Sequence, residues 1–283
     1  MRAALPNCAP AEHARDFKNL ALCLAYDCND EAAALALIDS LQTAGTFDAE
    51  RARMVRAGVH LSRKDYLAAE AVLDESFLAN PRNPELLSLR IDNLVRLGRI
   101  EQAIEVLGLA LAARDTCARC LFQRGLFRME VRDSADSFAD LLAAREQGYS
   151  ALGLHNNIGL LRTYYERDTS AALAEFDRSI AEFPDFAYAY NNKGYLLLHR
   201  GRTEEALAAV NRSLQLDSRN SQAYFYRALI HERMGRDSSD LCADLNQAQA
   251  LLDEEASTTR QIPWRDALRT NLADARARLC PGE

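Results

Sequence analysis

Apolar residues recur three and four positions apart from about residue 17 to residue 280, with polar residues on the opposite faces, and this predicts helices throughout. No run alternates β-branched and polar residues around an Asn-Gly turn, so strands are not expected. Within the helical pattern a small residue is followed, four positions on, by an apolar one. Ala69 with Leu73, Ala103 with Leu107, Ser137 with Leu141, Ala172 with Phe176 and Ala206 with Val210 all fit, and their first members stand 34, 34, 35 and 34 residues apart. An independent series, Ala57, Gly125, Gly159, Gly194 and Ala228, supplies small residues mostly twelve positions earlier. Two registers that agree over five repeats predict an array of two-helix units.

Such a unit cannot bury its apolar stripe alone, so neighbours must stack. The small residues belong where helices cross, and the larger ones fill the space beside them. Turn signals fall between the helices, at Leu97-Gly98-Arg99, Arg132-Asp133-Ser134, His199-Arg200-Gly201 and Met234-Gly235-Arg236-Asp237. Pro81 and Pro184 each follow a predicted helix end. The extra residue of the 35-residue spacing is expected in the turn at 165–170. Ile91 and Leu241 replace small residues and predict irregular junctions.

Stretches 17–27 and 31–43 form a degenerate first unit, with Cys23 in the small-residue slot and Ala34 and Ile38 repeating the first pattern. Pro263 opens a final helix whose apolar stripe is Trp264, Leu268, Leu272, Ala275 and Leu279, and Pro281-Gly282 ends it. The expected organisation is an N-terminal segment 1–49, six repeats at 50–83, 84–117, 118–152, 153–186, 187–220 and 221–252, and a capping helix with tail at 253–283.

The unit AYAYNNKGYLLLHRGRTEEALAAVNRSLQLDSRN, residues 187–220, resembles the tetratricopeptide repeat. Tyr190 stands at that family's aromatic position, Gly194 at its glycine, Ala206 at its second-helix alanine, and Ser218 where proline is usual. The resemblance covers roughly residues 50 to 250 and implies an all-α, right-handed superhelical solenoid of helix-turn-helix repeats. It further implies a scaffold or adaptor that holds a segment of a partner protein in a concave groove lined by first helices. The family often places Asn at the sixth position of that helix, where it bonds the ligand backbone. Here those positions are Val55, Leu89, Gln123, Asn157, Asn192 and Tyr226. Gln123, Asn157 and Asn192 form an expected amide ladder with Asn156 and Asn191 beside it, because an amide offers a peptide both a donor and an acceptor. Phe122, Tyr164, Tyr188, Tyr195 and Phe225 are the expected aromatic surface around it. In the competing reading the Asn residues bond neighbouring helices and the aromatics fill the core. The basic clamp that some members use for terminal carboxylates has no counterpart at Arg119, Gly153 and Tyr188.

Composition narrows the partner. A net charge of −7 opposes binding to a phosphate backbone, so a pentatricopeptide-like nucleic-acid binder is disfavoured. No stretch of 18 apolar residues exists, so membrane insertion is not expected. The N-terminus lacks the apolar core of a signal peptide, and seven cysteines show no framework of small loops. A cytoplasmic location is expected, with a periplasmic or otherwise extracytoplasmic one as the alternative. Cys117 and Cys120 would begin a helix, where a redox or metal role is conceivable, but no second ligand pair accompanies them. They read as small thiols at a helix junction, and Cys242 and Cys280 meet only if the last helix packs back. The five histidines form no metal or catalytic cluster. No cofactor, metal or enzymatic activity is expected; a regulatory arm of a larger assembly is the alternative to a groove-binding scaffold.

Overall fold

The computed structural model describes Ala21, Ala25 and residues 30–113, 116–256 and 263–280. The other positions lie outside the described residues, among them Cys8, His13, Cys23, Cys28, the Trp264 side chain and the tail at Pro281-Gly282. Among the described residues there are fourteen α-helices, one π-helical segment and no strands. The chain divides into two compact units, Met1–Gly148 and Tyr149–Glu283.

The first unit carries α1 (Glu31–Thr43), α2 (Ala49–Ser62), α3 (Tyr66–Ala79), α4 (Pro84–Arg96), α5 (Ile100–Ala112), α6 (Ala118–Glu130) and α7 (Ser134–Glu146). The second carries α8 (Leu154–Leu161) with its π-helical extension Arg162–Glu166, then α9 (Thr169–Glu182), α10 (Ala187–His199), α11 (Thr203–Leu216), α12 (Ser221–Arg233), α13 (Ser238–Ala256) and α14 (Pro263–Leu279). From α2 onward, helices pack in adjacent pairs, each pair closed by a short turn.

The two sequence registers are the two sides of one contact. A Cβ placed on Gly125 would lie 2.8 Å from Leu141, one on Gly159 2.6 Å from Phe176, and one on Gly194 2.5 Å from Val210. Each partner is the apolar member of its own repeat's pair, so glycine is required because no side chain fits at the crossing. Ser137 occupies a small slot at 0% exposure, and its hydroxyl donates to the Gly125 carbonyl at 2.7 Å. Ile91 and Leu241 are buried in their slots despite their size.

A third register emerges at the turns. Lys64, Gly98, Arg132, Arg167, Gly201 and Gly235 all have positive φ, between 58° and 76°. The left-handed conformation reverses the chain so that the second helix returns along the first. Where the residue is not glycine, an Asp follows and caps the next helix: Asp65 accepts from Ala68 N, Asp133 from Asp136 N and Asp168 from Ala171 N.

The extra residue of the fourth repeat is not in the turn. Arg167-Asp168 is built like Arg132-Asp133, and the additional residue is absorbed earlier, in the π-helical segment Arg162–Glu166. There the Asp168 N–H donates to the Arg162 carbonyl at 2.9 Å, whereas the equivalent Asp133 N–H reaches back only to Arg128. Widening one helical turn takes up an insertion while leaving the turn's left-handed residue and cap in place.

Charged pairs join the helices at a position the apolar pattern does not mark. In the first unit Asp140, 4% exposed, accepts from Arg124 Nε and Nη2 at 2.8 and 2.6 Å and from Arg128 Nη1 at 2.6 Å. In the second, Arg227 grips Asp244, 5% exposed, in the same way. Arg124 and Arg227 each immediately precede a small landmark residue, so the guanidinium lies where two helices are closest.

Both ends are closed by apolar clusters. Ala21, Ala25, Ala34, Ile38, Phe47 and Val55 pack together at the start. At the end Leu268, Leu272 and Ala275 of α14 pack on Phe225, Ala228, Leu245 and Leu252. Two disulfides replace the thiols expected from sequence: Cys117–Cys120, and Cys242–Cys280, which fastens the end of α14 to α13.

Candidate partner-binding groove

Within the second unit the first helices of successive pairs stand side by side, α8 beside α10 and α10 beside α12. Tyr164, Tyr195 and Tyr226 lie one on each, exactly 31 residues apart in sequence. A step of one repeat forward and about one turn back keeps a side chain on the same face, so the three rings form a diagonal row. Their centroids are separated by 6.4 Å and 5.0 Å, and His199 meets the Tyr195 ring edge-on at 4.4 Å. The row borders a groove of about 520 Å³ whose far wall is α14, through Ala267, Leu268, Asn271, Asp274, Ala275 and Arg278.

The groove is aromatic yet polar at its rim. Burial pushes the Tyr226 phenol well above its usual range, and neighbouring Tyr195 adds to the effect. The Tyr164 phenol is raised as well, by desolvation, by Tyr195 and Tyr226, and by its hydrogen bond to Tyr195. Both stay protonated near neutrality and serve as neutral donors. Gln222 and Asn271 add amides, while Arg278 is paired with Glu232.

Of the residues singled out from sequence, the structure brings Tyr164, Tyr195, Phe225 and Tyr226 together at this groove. The amides behave otherwise. Asn192, expected to be free for a partner, donates through Nδ2 to Asn156 Oδ1 at 2.8 Å, and Asn156 is only 5% exposed. Asn191 is wholly buried and donates to Gln222 Oε1 at 3.4 Å. These three tie one repeat to the next, because an amide at a first-helix contact bonds a neighbouring amide before it can meet a partner. Asn157 remains half-buried, with no side-chain hydrogen bond to another described residue. Tyr188 is exposed, its ring tilted against Phe186 at 5.8 Å, and it does not line the groove. Phe122 and Gln123 are half-buried on α6 of the first unit.

Asn192→Ala therefore strips the buried Asn156 carbonyl of its donor. The expected result is a loss of about 1–3 kcal/mol in stability, read from denaturant midpoints. A neutral substitution would restore the view of Asn192 as an idle surface amide.

His199, Gln222, Leu229 and the α14 residues were missed in sequence. The 31-residue recurrence of tyrosine was the available signal for the row. The far wall had none, since α13 runs 19 residues and α14 starts outside the repeat register. Among the described residues no group of three or more His, Cys, Asp or Glu could hold a metal ion, and no helix is long and apolar enough to cross a membrane.

Comparison with solved structures finds a tetratricopeptide repeat protein from Parabacteroides merdae, 14% identical, with a TM-score of 0.58 over 83% of this chain and 93% of that one. The family model of the tetratricopeptide repeat matches residues 162–221, the span from the π-helical segment to the start of α12. Residues 162–221 carry a tetratricopeptide repeat, and the chain has the tetratricopeptide fold. Other solved structures share its fold. PilW, a widely conserved type IV pilus biogenesis factor, is 18% identical over 72% of this chain and 94% of its own, with a TM-score of 0.59. YrrB, a tetratricopeptide protein with an unusual peptide-binding site, is 15% identical over 63% of this chain and 91% of its own, at 0.51. At these identities the likeness is one of fold. No curated protein matches the sequence.

Proposed function

We propose that this tetratricopeptide-repeat protein is a non-enzymatic scaffold that captures a segment of a partner protein in the groove between α8, α10, α12 and α14. The observation that carries the reading is the row of Tyr164, Tyr195 and Tyr226 facing a groove of about 520 Å³. Tyrosine supplies a large contact area at small cost in rotamer entropy, and its hydroxyl bonds a peptide group that burial would otherwise leave unpaired. Asn157, in the same unit, is a further contact candidate, and Gln123 is a separate candidate on the first unit.

The test uses the full chain as bait. Partners captured from native lysate are identified, and their affinity is compared between wild type and a Tyr164→Ser/Tyr195→Ser variant. Loss of two central aromatic contacts should weaken binding by about 2 kcal/mol or more, with melting of the chain little changed for the exposed Tyr164. A folded variant that binds every partner normally would move the interaction to another face and support the assembly-arm alternative.

The two disulfides support an oxidising compartment, the extracytoplasmic alternative, over the cytoplasm. Trapping the cysteines with an alkylating reagent in intact cells reads their state directly. Free thiols at all four positions would return the protein to the cytoplasm.

A further inference from the structure

The two disulfides differ in what governs reactivity. Cys242–Cys280 closes 38 residues, and its cysteines are buried, at 4% and 9% exposure. Cys117–Cys120 spans three positions inside the first turn of α6, so it joins nothing that the helix does not already join. By the chain-entropy argument so short a loop restricts the unfolded chain far less. α6 is also docked without it, through Gly125 on Leu141 and through Arg124 and Arg128 on Asp140. The bond therefore has little structural work.

Its two sulfurs are unequal. Cys120 is 2% exposed, packed among Phe77, Leu87 and Leu107. Cys117 is half-buried, between exposed Thr116 and, two residues on, exposed Arg119. Cys117 also caps α6, its Sγ accepting the Cys120 N–H at 3.3 Å. Negative charge on that sulfur faces the unpaired N–H groups of a helix start, which favour a thiolate.

We infer that Cys117–Cys120 is a thiol–disulfide exchange site that accepts two electrons from a dithiol. One thiolate of the dithiol attacks Cys117 Sγ. A bond forms between them, the Cys117–Cys120 bond breaks, and Cys120 leaves as a thiolate that takes up a proton. The second thiolate of the dithiol then attacks its own sulfur in the mixed disulfide and expels the Cys117 thiolate, held by the Cys120 N–H until it too is protonated. The dithiol ends oxidised and the cysteine pair reduced, with two electrons and two protons transferred. Burial of Cys120 directs the attack to Cys117.

The experiment takes the native full chain, adds dithiothreitol or reduced glutathione, quenches with an alkylating reagent over time, and locates the label by peptide mass spectrometry. Cys117–Cys120 should open at least tenfold faster than Cys242–Cys280. In Cys120→Ser, checked for unchanged helicity, oxidised glutathione should form a persistent adduct on Cys117. Equal opening rates for the two disulfides, or opening only where the chain unfolds, would overturn the inference. This comparison needs no variant and decides the matter even where Cys120→Ser does not fold. An adduct that fails to form on folded Cys120→Ser would overturn it equally.

Discussion

Cys242→Ser combined with Cys280→Ser lowers the stability of the C-terminal end by about 4 kcal/mol, the chain-entropy value for a loop of 38 residues. Serine is close to cysteine in size, so the packing of Leu268, Leu272 and Ala275 against Phe225 and Leu245 is retained when α14 is docked. What is lost is the constraint that holds the helix there. Arg269 still donates to the Leu252 carbonyl at 3.0 Å, and Arg278 still meets Glu232, but these contacts are peripheral. Hydrogen exchange of the amides at 263–279 should rise by orders of magnitude, while those of α10 and α11 change little, because repeat arrays lose order from their ends. Unchanged exchange in α14 would mean that the apolar cluster alone docks it.

Gly194→Leu is expected to cost about 3 kcal/mol, at the upper end of overpacking penalties. The first atom of the new side chain already falls 2.5 Å from Val210 Cγ2 and 3.3 Å from the Ala206 carbonyl oxygen. Valine on a helix has essentially one rotamer and cannot turn aside, and the carbonyl belongs to the backbone of α11. The helices must therefore separate, which opens the core around Leu197 and Leu214. A companion variant, Gly194→Ala with Val210→Ala, removes the clash with the valine methyl, leaves the 3.3 Å approach to the Ala206 carbonyl, and gains about 1 kcal/mol of helix propensity at position 194, set against the loss of the valine methyls. Denaturant midpoints for the two variants separate steric conflict from mere loss of glycine. A stable Gly194→Leu would show that α10 and α11 do not cross tightly there.

The same glycine explains how much of the fold was legible. Gly125, Gly159 and Gly194 could be read because each answers a steric demand that only one residue type meets, and each demand returns every repeat. The turns were half legible. Gly98, Gly201 and Gly235 announce a left-handed residue, whereas Lys64, Arg132 and Arg167 adopt the same conformation without any mark in their chemistry. The Arg124–Asp140 and Arg227–Asp244 pairs were not legible, since charge on a helix reads as solvent-facing until a neighbour is known. At the groove, the sequence pattern points to Tyr164, Tyr195 and Phe225, whereas Phe122 and Tyr188 do not line it. The amides were ambiguous because Asn192 has two suitable partners, a peptide and Asn156, and sequence does not rank them. The wall supplied by α14 is a matter of tertiary docking after an off-register connection, and periodicity carries no information about it.

The widened turn at Arg162–Glu166 acts as a phase shifter. Each residue of an α-helix advances the side-chain direction by about 100°, so an additional residue in the segment that carries Tyr164 changes where that ring points. Tyr164 then reaches the row begun by Tyr226 and Tyr195, 6.4 Å from its neighbour. A chain one residue shorter here would regain an unbroken α-helix and a uniform repeat length, and would aim the third tyrosine elsewhere. In an array built from near-identical units, a single insertion thus changes what one unit displays without disturbing how it stacks.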